Sequence, residues 1–386
     1  VYKRQLIGYV DTGIDYLNDV FKDRLGNTRI QAIWDQTDKT GTDVANTYAH
    51  FGRVYEKDEI DMAIEADNNG ENPYSYVAQR DTSGHGTLLA SISAGSYTDG
   101  YVGVAPGAEL LVVKLKQSKQ YLRDFFLIKD DVPAFEESDI MLALRFLEDY
   151  AIRLGKPLII IFGLGSANGS RTGASPLAEM MENLTKKPNI SVITCMGNEA
   201  NNKCHYKGTV MSALVPDVME INVDGTGKGF TMEIWADSLD ILSVSIESPS
   251  GEYVPRIPAR MGASMEYTFL YEGSTVTVDY QITENVAGME VIFVRLKTPV
   301  EGTWKFYIYS LTNIKGSYNA WLPLKQFSGQ DIYFLKSDPD TTLTVPAAAD
   351  GVISVGAYNH YTGAAYYESG RGYSADGRIK PDFVAP

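Results

Sequence analysis

Ile7-Gly8-Tyr9-Val10-Asp11-Thr12-Gly13-Ile14-Asp15 is the stretch that decides the fold. A nearly continuous apolar run ends on a carboxylate and a glycine turn, the way a strand buried on both faces ends at the rim of a parallel sheet. In open parallel sheets the carboxyl ends of the strands form the ligand crevice, so Asp11 is placed for function. Taken alone it reads equally well as a turn-forming Asp. Similar short runs recur at 110–113, 158–162 and 190–194, with helical patterns between them. Ser138 is expected to cap a helix whose Ile140, Leu144, Leu147, Ala151 and Leu154 form one apolar stripe, closed by Gly155. Ser175-Pro176 opens a second helix with Leu177, Met181 and Leu184 on one face. Strands alternating with helices predict an α/β, doubly wound parallel sheet.

From about 205 to 337 the pattern changes to period two. Leu242, Val244 and Ile246 alternate with polar residues, as do Val276, Val278, Tyr280 and Ile282, and then Trp304, Phe306 and Ile308. This predicts an all-β sandwich inserted into the α/β domain. The buried-strand style resumes at 352–355, and 372–386 reads as a polar loop. The expected domains are 1–204 and 338–386 for the α/β part and 205–337 for the insert.

Of the 386 residues 44% are hydrophobic and 22% charged, the balance of an ordinary globular protein. No apolar run approaches the roughly 18 residues of a membrane helix, so no membrane partner is expected. A formal charge of -15 works against binding a phosphate backbone, and nucleic acid is not an expected partner. The two cysteines, Cys195 and Cys204, match no zinc pattern, and a bridge between them is not expected. The chain opens on Val1 and reaches its first apolar strand at once, leaving no room for a leader, and its far end interrupts a motif. It reads as a fragment, and its localisation is not legible.

Two further residues carry chemistry. His85 lies in Asp81-Thr82-Ser83-Gly84-His85-Gly86-Thr87, a glycine-flanked turn leading into an apolar helix. Glycines on both sides let backbone crowd the imidazole and leave room for a substrate chain. His50, His205 and His360 have no supporting motif and read as structural. Asn198, in Met196-Gly197-Asn198-Glu199, follows a buried strand, where a side-chain amide can donate to a developing oxyanion or simply shape a turn. Asp-Thr-Gly is also the aspartic-protease signature, but that mechanism needs a second such carboxylate and none is present.

Asp11-Thr12-Gly13-Ile14-Asp15, Gly84-His85-Gly86-Thr87, Gly103-Val104-Ala105-Pro106-Gly107-Ala108, Gly197-Asn198-Glu199 and Gly377-Arg378-Ile379-Lys380-Pro381-Asp382-Phe383-Val384-Ala385-Pro386 together, in this order, resemble the subtilisin-like serine proteases, the subtilases of peptidase family S8. The resemblance implies that Asp11 orients the imidazole, that His85 is general base and then general acid, and that Asn198 helps build the oxyanion hole. It implies that Gly163-Leu164-Gly165 is the edge against which an extended substrate pairs. In the family the motif ending at Pro386 is followed by Gly-Thr-Ser, whose Ser attacks the peptide carbonyl, and these residues alone are expected to be inactive. A sedolisin-like acid protease would want Glu near position 85 and Asp at 198, and neither is found.

The β insert, with Ile33-Trp34-Asp35-Gln36-Thr37, resembles the Csp type, the clostridial spore-germination proteases with an inserted jelly-roll domain. The expected activity is that of a serine endopeptidase on protein or peptide substrates, its own propeptide included, in a spore or extracellular setting. The alternative is a pseudoprotease that keeps the fold and binds. No cofactor is expected. Structural calcium has candidate ligands in Asp338, Asp340 and the acidic stretch 58–67, but no spaced loop signature supports it, and a solvated acidic surface is the simpler expectation.

Overall fold

The buried apolar runs do become strands. A computed structural model describes residues 5–41, 49–98 and 100–386; the opening residues 1–4, read above as leaving no room for a leader, lie outside these. In chain order the first elements are β1 (Leu6–Asp11), β2 (Ile30–Asp35), β3 (Arg53–Glu56), α1 (Lys57–Asn68), α2 (His85–Ala94), β4 (Glu109–Lys114), α3 (Gln120–Phe125), α4 (Glu137–Leu154), β5 (Leu158–Phe162), α5 (Pro176–Thr185) and β6 (Ile190–Cys195). The insert supplies β7 (His205–Thr209), β8 (Asp217–Asp224), β9 (Gly229–Ala236), β10 (Leu242–Glu247), β11 (Tyr253–Ile257), β12 (Ser264–Thr268), β13 (Thr275–Gln281), β14 (Glu290–Lys297), β15 (Gly302–Ser310), β16 (Ser317–Trp321) and β17 (Asp331–Phe334). The strands β18 (Ile353–Ala357) and β19 (Phe383–Ala385) follow.

Two compact units divide the chain. The first comprises Val1–Ser118, Phe135–Leu164 and Met180–Thr194. Its sheet runs β6-β5-β1-β4-β2-β3, with β1 parallel to both β5 and β4 and only β3 antiparallel. Strand parity sorts β1: Ile7 and Tyr9 face a core shared with Ile60, Ile64, Ala90 and Ala94 of α1 and α2. On the opposite face a Cβ on Gly8 would lie 2.8 Å from a methyl of Leu147, so α4 packs directly on the strand backbone. The chain leaves β1 toward β2 on one side and returns through β5 on the other. The strand order therefore reverses at the carboxyl end of β1, where α/β proteins hold their ligands.

The helices correct one expectation. Ser138 does not cap α4: Glu136 is the cap residue, and the Ser138 hydroxyl donates to the Glu136 carboxylate at 3.2 Å from within the first turn. The closing Gly155 is left-handed, at φ 61°, as a helix-ending glycine should be. The acidic stretch 58–67 is the amphipathic helix α1, opened by a capping box between Glu56 and Glu59 and burying Ile60, Ala63 and Ile64. In α5, by contrast, Ser175 Oγ accepts from Ala178 N at 3.1 Å, and Leu177, Met181 and Leu184 are buried.

The second unit takes in Lys119–Ala134, Gly165–Glu179 and Cys195–Pro386. Two antiparallel sheets, β11-β10-β15-β8-β17 and β12-β13-β14-β9-β16-β7, enclose one apolar core. Its contributors include the period-two residues Leu242, Val244, Ile246, Val276, Val278, Tyr280, Trp304, Phe306 and Ile308, so the alternation marks the inward faces of a sandwich. The segment 119–134 lies against this sandwich, with the Phe125 ring stacked on Phe293 at 5.6 Å. The loop expected at 372–386 ends instead in β19, which pairs in parallel with β18.

Candidate active site

Asp11 continues the face of Ile7 and Tyr9 because side chains alternate along a strand, so its carboxylate points toward α2. The helix is fixed there by Tyr9, whose hydroxyl meets Ser93 Oγ at 2.7 Å. His85 is the first residue of α2, preceded by Gly84 in the left-handed region at φ 79°. Strand end and helix start meet: His85 Nδ1 lies 2.7 Å from Asp11 Oδ1. Asp11 is fully buried, whereas the His85 side chain is about half exposed, at 48%. A carboxylate only accepts, so the imidazole's proton sits on Nδ1 and neutral His85 keeps its lone pair on Nε2. The hydrogen bond that His85 donates to Asp11 raises the His85 pKa above its usual 6.5; burial works against this, and the charges of Asp11 and Asp81 add to it.

Asp11 Oδ1 also accepts the Thr12 N–H at 2.7 Å, while Oδ2 is buried with no partner. Gly163, just past the end of β5, comes as close as a backbone can. A Cβ there would lie 3.4 Å from Asp11 Oδ2, 3.4 Å from His85 Cε1 and 2.9 Å from a Leu89 methyl. Gly163 and Leu164 run on from β5 outside any strand.

Asn198 belongs to the second unit, where it is exposed at the end of a turn that begins with Gly197 at φ 81°. Backbone bonds hold this turn: Thr344 N donates to Met196 O at 3.0 Å, and Gly370 N to Gly197 O at 2.8 Å. Asn202 Nδ2 donates to Asn198 O at 3.2 Å and to the Glu199 carboxylate at 2.9 Å. Burial raises the Glu199 pKa. Gly165 closes on the same residue as Gly197: a Cβ on Gly165 would lie 2.3 Å from Thr344 Oγ1, and one on Gly197 2.5 Å from Thr344 Cγ2. Thr344, which the sequence reading passed over, thus packs both the expected substrate edge and the Asn198 turn.

His205 is structural. It is buried, stacks on Trp321 at 5.0 Å, and contacts Asp338 O and Asn319 Oδ1 at 3.2 and 3.0 Å. Cys195 and Cys204 are not joined by a disulfide. Among the described residues no group of three or more His, Cys, Asp or Glu could hold a metal ion, and no helix is long and apolar enough to cross a membrane.

Residues 3–386 match the subtilase family model, in two overlapping segments, 3–215 and 194–386. It is 26% identical over 166 residues to the subtilisin-like protease SBT3.6 of Arabidopsis thaliana, a match covering 42% of this chain and 21% of that protein. The stretch in common is thus about a fifth of the plant protein's length. The CspB protease of Clostridium perfringens has a similar structure, with a TM-score of 0.83 at 28% identity, covering 100% of this chain and 76% of CspB. A buried carboxylate and a half-exposed imidazole at a switch point, an inserted β-sandwich and these matches lead to one conclusion: the chain belongs to the subtilase family, in its Csp-type branch.

Proposed function

We propose that this polypeptide forms the greater part of a serine endopeptidase in which Asp11, His85 and a serine following the 377–386 motif make the catalytic set. The observation that carries this reading is the 2.7 Å contact between His85 Nδ1 and the buried Asp11 carboxylate, which leaves Nε2 as the basic atom. The serine hydroxyl gives its proton to His85 Nε2 as its oxygen bonds to the peptide carbonyl carbon. The carbonyl oxygen becomes an oxyanion, and the Asn198 amide donates to it. As the C–N bond breaks, the leaving amine takes the proton from Nε2, and water then repeats the sequence to release the acyl group. The Asp11 carboxylate stabilises the imidazolium formed at each transfer. The substrate lies extended along Gly163, Leu164 and Gly165, and the resemblance to Csp-type proteases supports a protein substrate handled in spore germination. The assigned domains are 1–204 with 338–386 for catalysis and 205–337 for the inserted sandwich. A fluorophosphonate probe on the full-length protein tests the reading. Covalent labelling that is lost in His85→Ala is expected; absence of both labelling and peptide cleavage would overturn it.

A further inference from the structure

The bond between His85 and Asp11 joins two separate pieces of backbone, a strand end and a helix start, and something must hold those pieces in register. One carboxylate does so without touching either side chain. Asp81 Oδ1 accepts the Thr12 hydroxyl at 2.9 Å, Gly84 N at 2.9 Å and Ser83 N at 3.2 Å. Asp81 Oδ2 accepts Thr87 N at 2.9 Å and the Thr87 hydroxyl at 2.6 Å. Each of the two threonines then accepts a backbone N–H from the other side. Thr12, on the strand side, takes Gly86 N of α2 at 3.1 Å, and Thr87, on the helix, takes Asp15 N at 2.9 Å.

The result is a crossed clamp. Each hydroxyl donates to Asp81 and accepts from the opposite element, so every proton in it has one place to go. The N–H groups on both sides of His85, those of Gly84 and Gly86, are held, which fixes the direction in which the imidazole leaves the backbone. Five donors converge on an anion at the start of a helix, where the helix dipole also favours negative charge. Burial would raise the Asp81 pKa, but the bonds from Thr87, Gly84 and Thr12 outweigh it and lower it.

We propose that Asp81 is the positioning residue of the Asp11–His85 pair, acting through Thr12 and Thr87 to hold the imidazole at the distance and angle its base role needs. This rests on the catalytic reading above. It assigns Asp81 no contact with substrate.

The test uses Asp81→Asn and Thr12→Val, with Thr12→Ser and Asp11→Asn as references. The asparagine keeps the shape but turns an N–H toward the Thr87 donors. The valine removes one hydroxyl and no charge, so it separates positioning from the direct pull of the Asp81 charge on the imidazole. On this chain, NMR follows the His85 Nδ1 proton and the imidazole titration, with thermal melting as a control for folding. In the full-length protein, kcat and KM are measured separately.

Thr12→Val and Asp81→Asn are expected to speed exchange of the Nδ1 proton, move the titration midpoint down toward 6.5 and lower kcat at least about tenfold at near-constant KM. Thr12→Ser is expected to restore all three. If Thr12→Val and Asp81→Asn melt earlier yet keep the wild-type Nδ1 signal, titration and kcat, Asp81 is only a helix cap and the proposal falls. If Asp81→Asn does not fold, Thr12→Val alone decides. If Asp11→Asn leaves the His85 titration unchanged, the dyad reading itself fails and takes the proposal with it.

Discussion

The glycines on either side of His85 provide a pair of substitutions that separate geometry at the site from general stability. Gly86 has ordinary helical backbone, but a Cβ there would lie 2.2 Å from Gly13 O and 3.2 Å from Asp11 Cβ. A carbon–oxygen contact relaxes at about 3.3–3.6 Å, so Gly86→Ala must push the start of α2 off the β1 turn by roughly 1 Å. The 2.7 Å bond between His85 and Asp11 spans that same seam, and lengthening it by as much takes it beyond hydrogen-bond range. The stability cost of such overpacking is about 1–3 kcal/mol, from which alanine's better helix propensity recovers at most about 1. The rate cost is larger: a 1 Å misplacement is worth on the order of 10² in kcat, about 2.7 kcal/mol. Gly84 is the converse case, with nothing within 4 Å of its Cβ position but φ at 79°. Gly84→Ala is expected to cost about 1–2 kcal/mol of stability through backbone strain and to leave the seam closed. Calorimetry, the Nδ1 proton signal of His85 and kcat in the full-length protein are the three readouts. The reasoning is refuted if, at equal loss of stability, Gly86→Ala loses no more kcat and no more of the Nδ1 signal than Gly84→Ala.

Three further outcomes follow from the same structure. The base must be neutral to act and Asp11 raises its pKa, so the acidic limb of the pH–rate profile is expected above 6.5, and in Asp11→Asn lower, with kcat down about 10⁴-fold; a limb that does not move contradicts this. Because Asn198 is exposed, Asn198→Ala is expected to lower kcat about 10²–10³-fold while barely shifting the melting temperature, and an unchanged kcat removes it from the oxyanion site. Glu290, buried with Oε1 unpartnered and Oε2 accepting Leu242 N at 2.8 Å, has its pKa pushed up to about 8 by burial. The folded state then holds a proton that the unfolded state has lost above 4.5, so stability falls with rising pH between 4.5 and about 8, at most by about 1.4 kcal/mol per pH unit. Glu290→Gln is expected to remove that slope in urea unfolding, and a slope that persists assigns it to other groups.

What could be read in advance depended on whether the signal was local. β5 runs over the very residues of its apolar run, and β1, β4 and β6 extend theirs by a residue or two, because strands buried on both faces are apolar nearly throughout. The sandwich was legible as alternation, but which strands neighbour which was not: β8 lies between β15 and β17, pairings that span about a hundred residues and leave no mark on either sequence. α1 was hidden because its acidic face dominates the composition while only Ile60, Ala63, Ile64 and Ala66 face inward. Asp11 and His85 were legible through their motifs. Asp81 stood in the quoted string beside His85 and was passed over, because its partner Thr12 comes from a loop some seventy residues earlier. Its one local cue is an Asp a few residues before a helix whose first N–H groups need an acceptor.

Geometry at the dyad follows from strand parity and from the way α2 is fastened. In a doubly wound sheet the helix runs back against its strand, so α2 starts beside the end of β1 and its later turns lie over earlier strand residues. Asp11 and Tyr9 are two residues apart, roughly 6.6 Å along the strand, while their partners His85 and Ser93 are eight apart, roughly 12 Å along the helix. The mismatch is taken up by the long tyrosine, and a shorter hydroxyl side chain at position 9 would not reach Ser93. At the far end Arg29 donates to the carbonyls of Val20 and Ala108, at 2.8 and 2.6 Å, and to that of Ala94, the last residue of α2. A buried cation at a helix C-terminus is stabilised by the same dipole that favours Asp81 at the other end. The helix is therefore tied at its start and, through Ser93 and Ala94, at its finish by residues that all lie between positions 9 and 108. A helix held at both ends cannot slide or roll to absorb a change at one of them. For that reason small substitutions at its first turn are expected to register in the His85–Asp11 distance before they register in the stability of the fold.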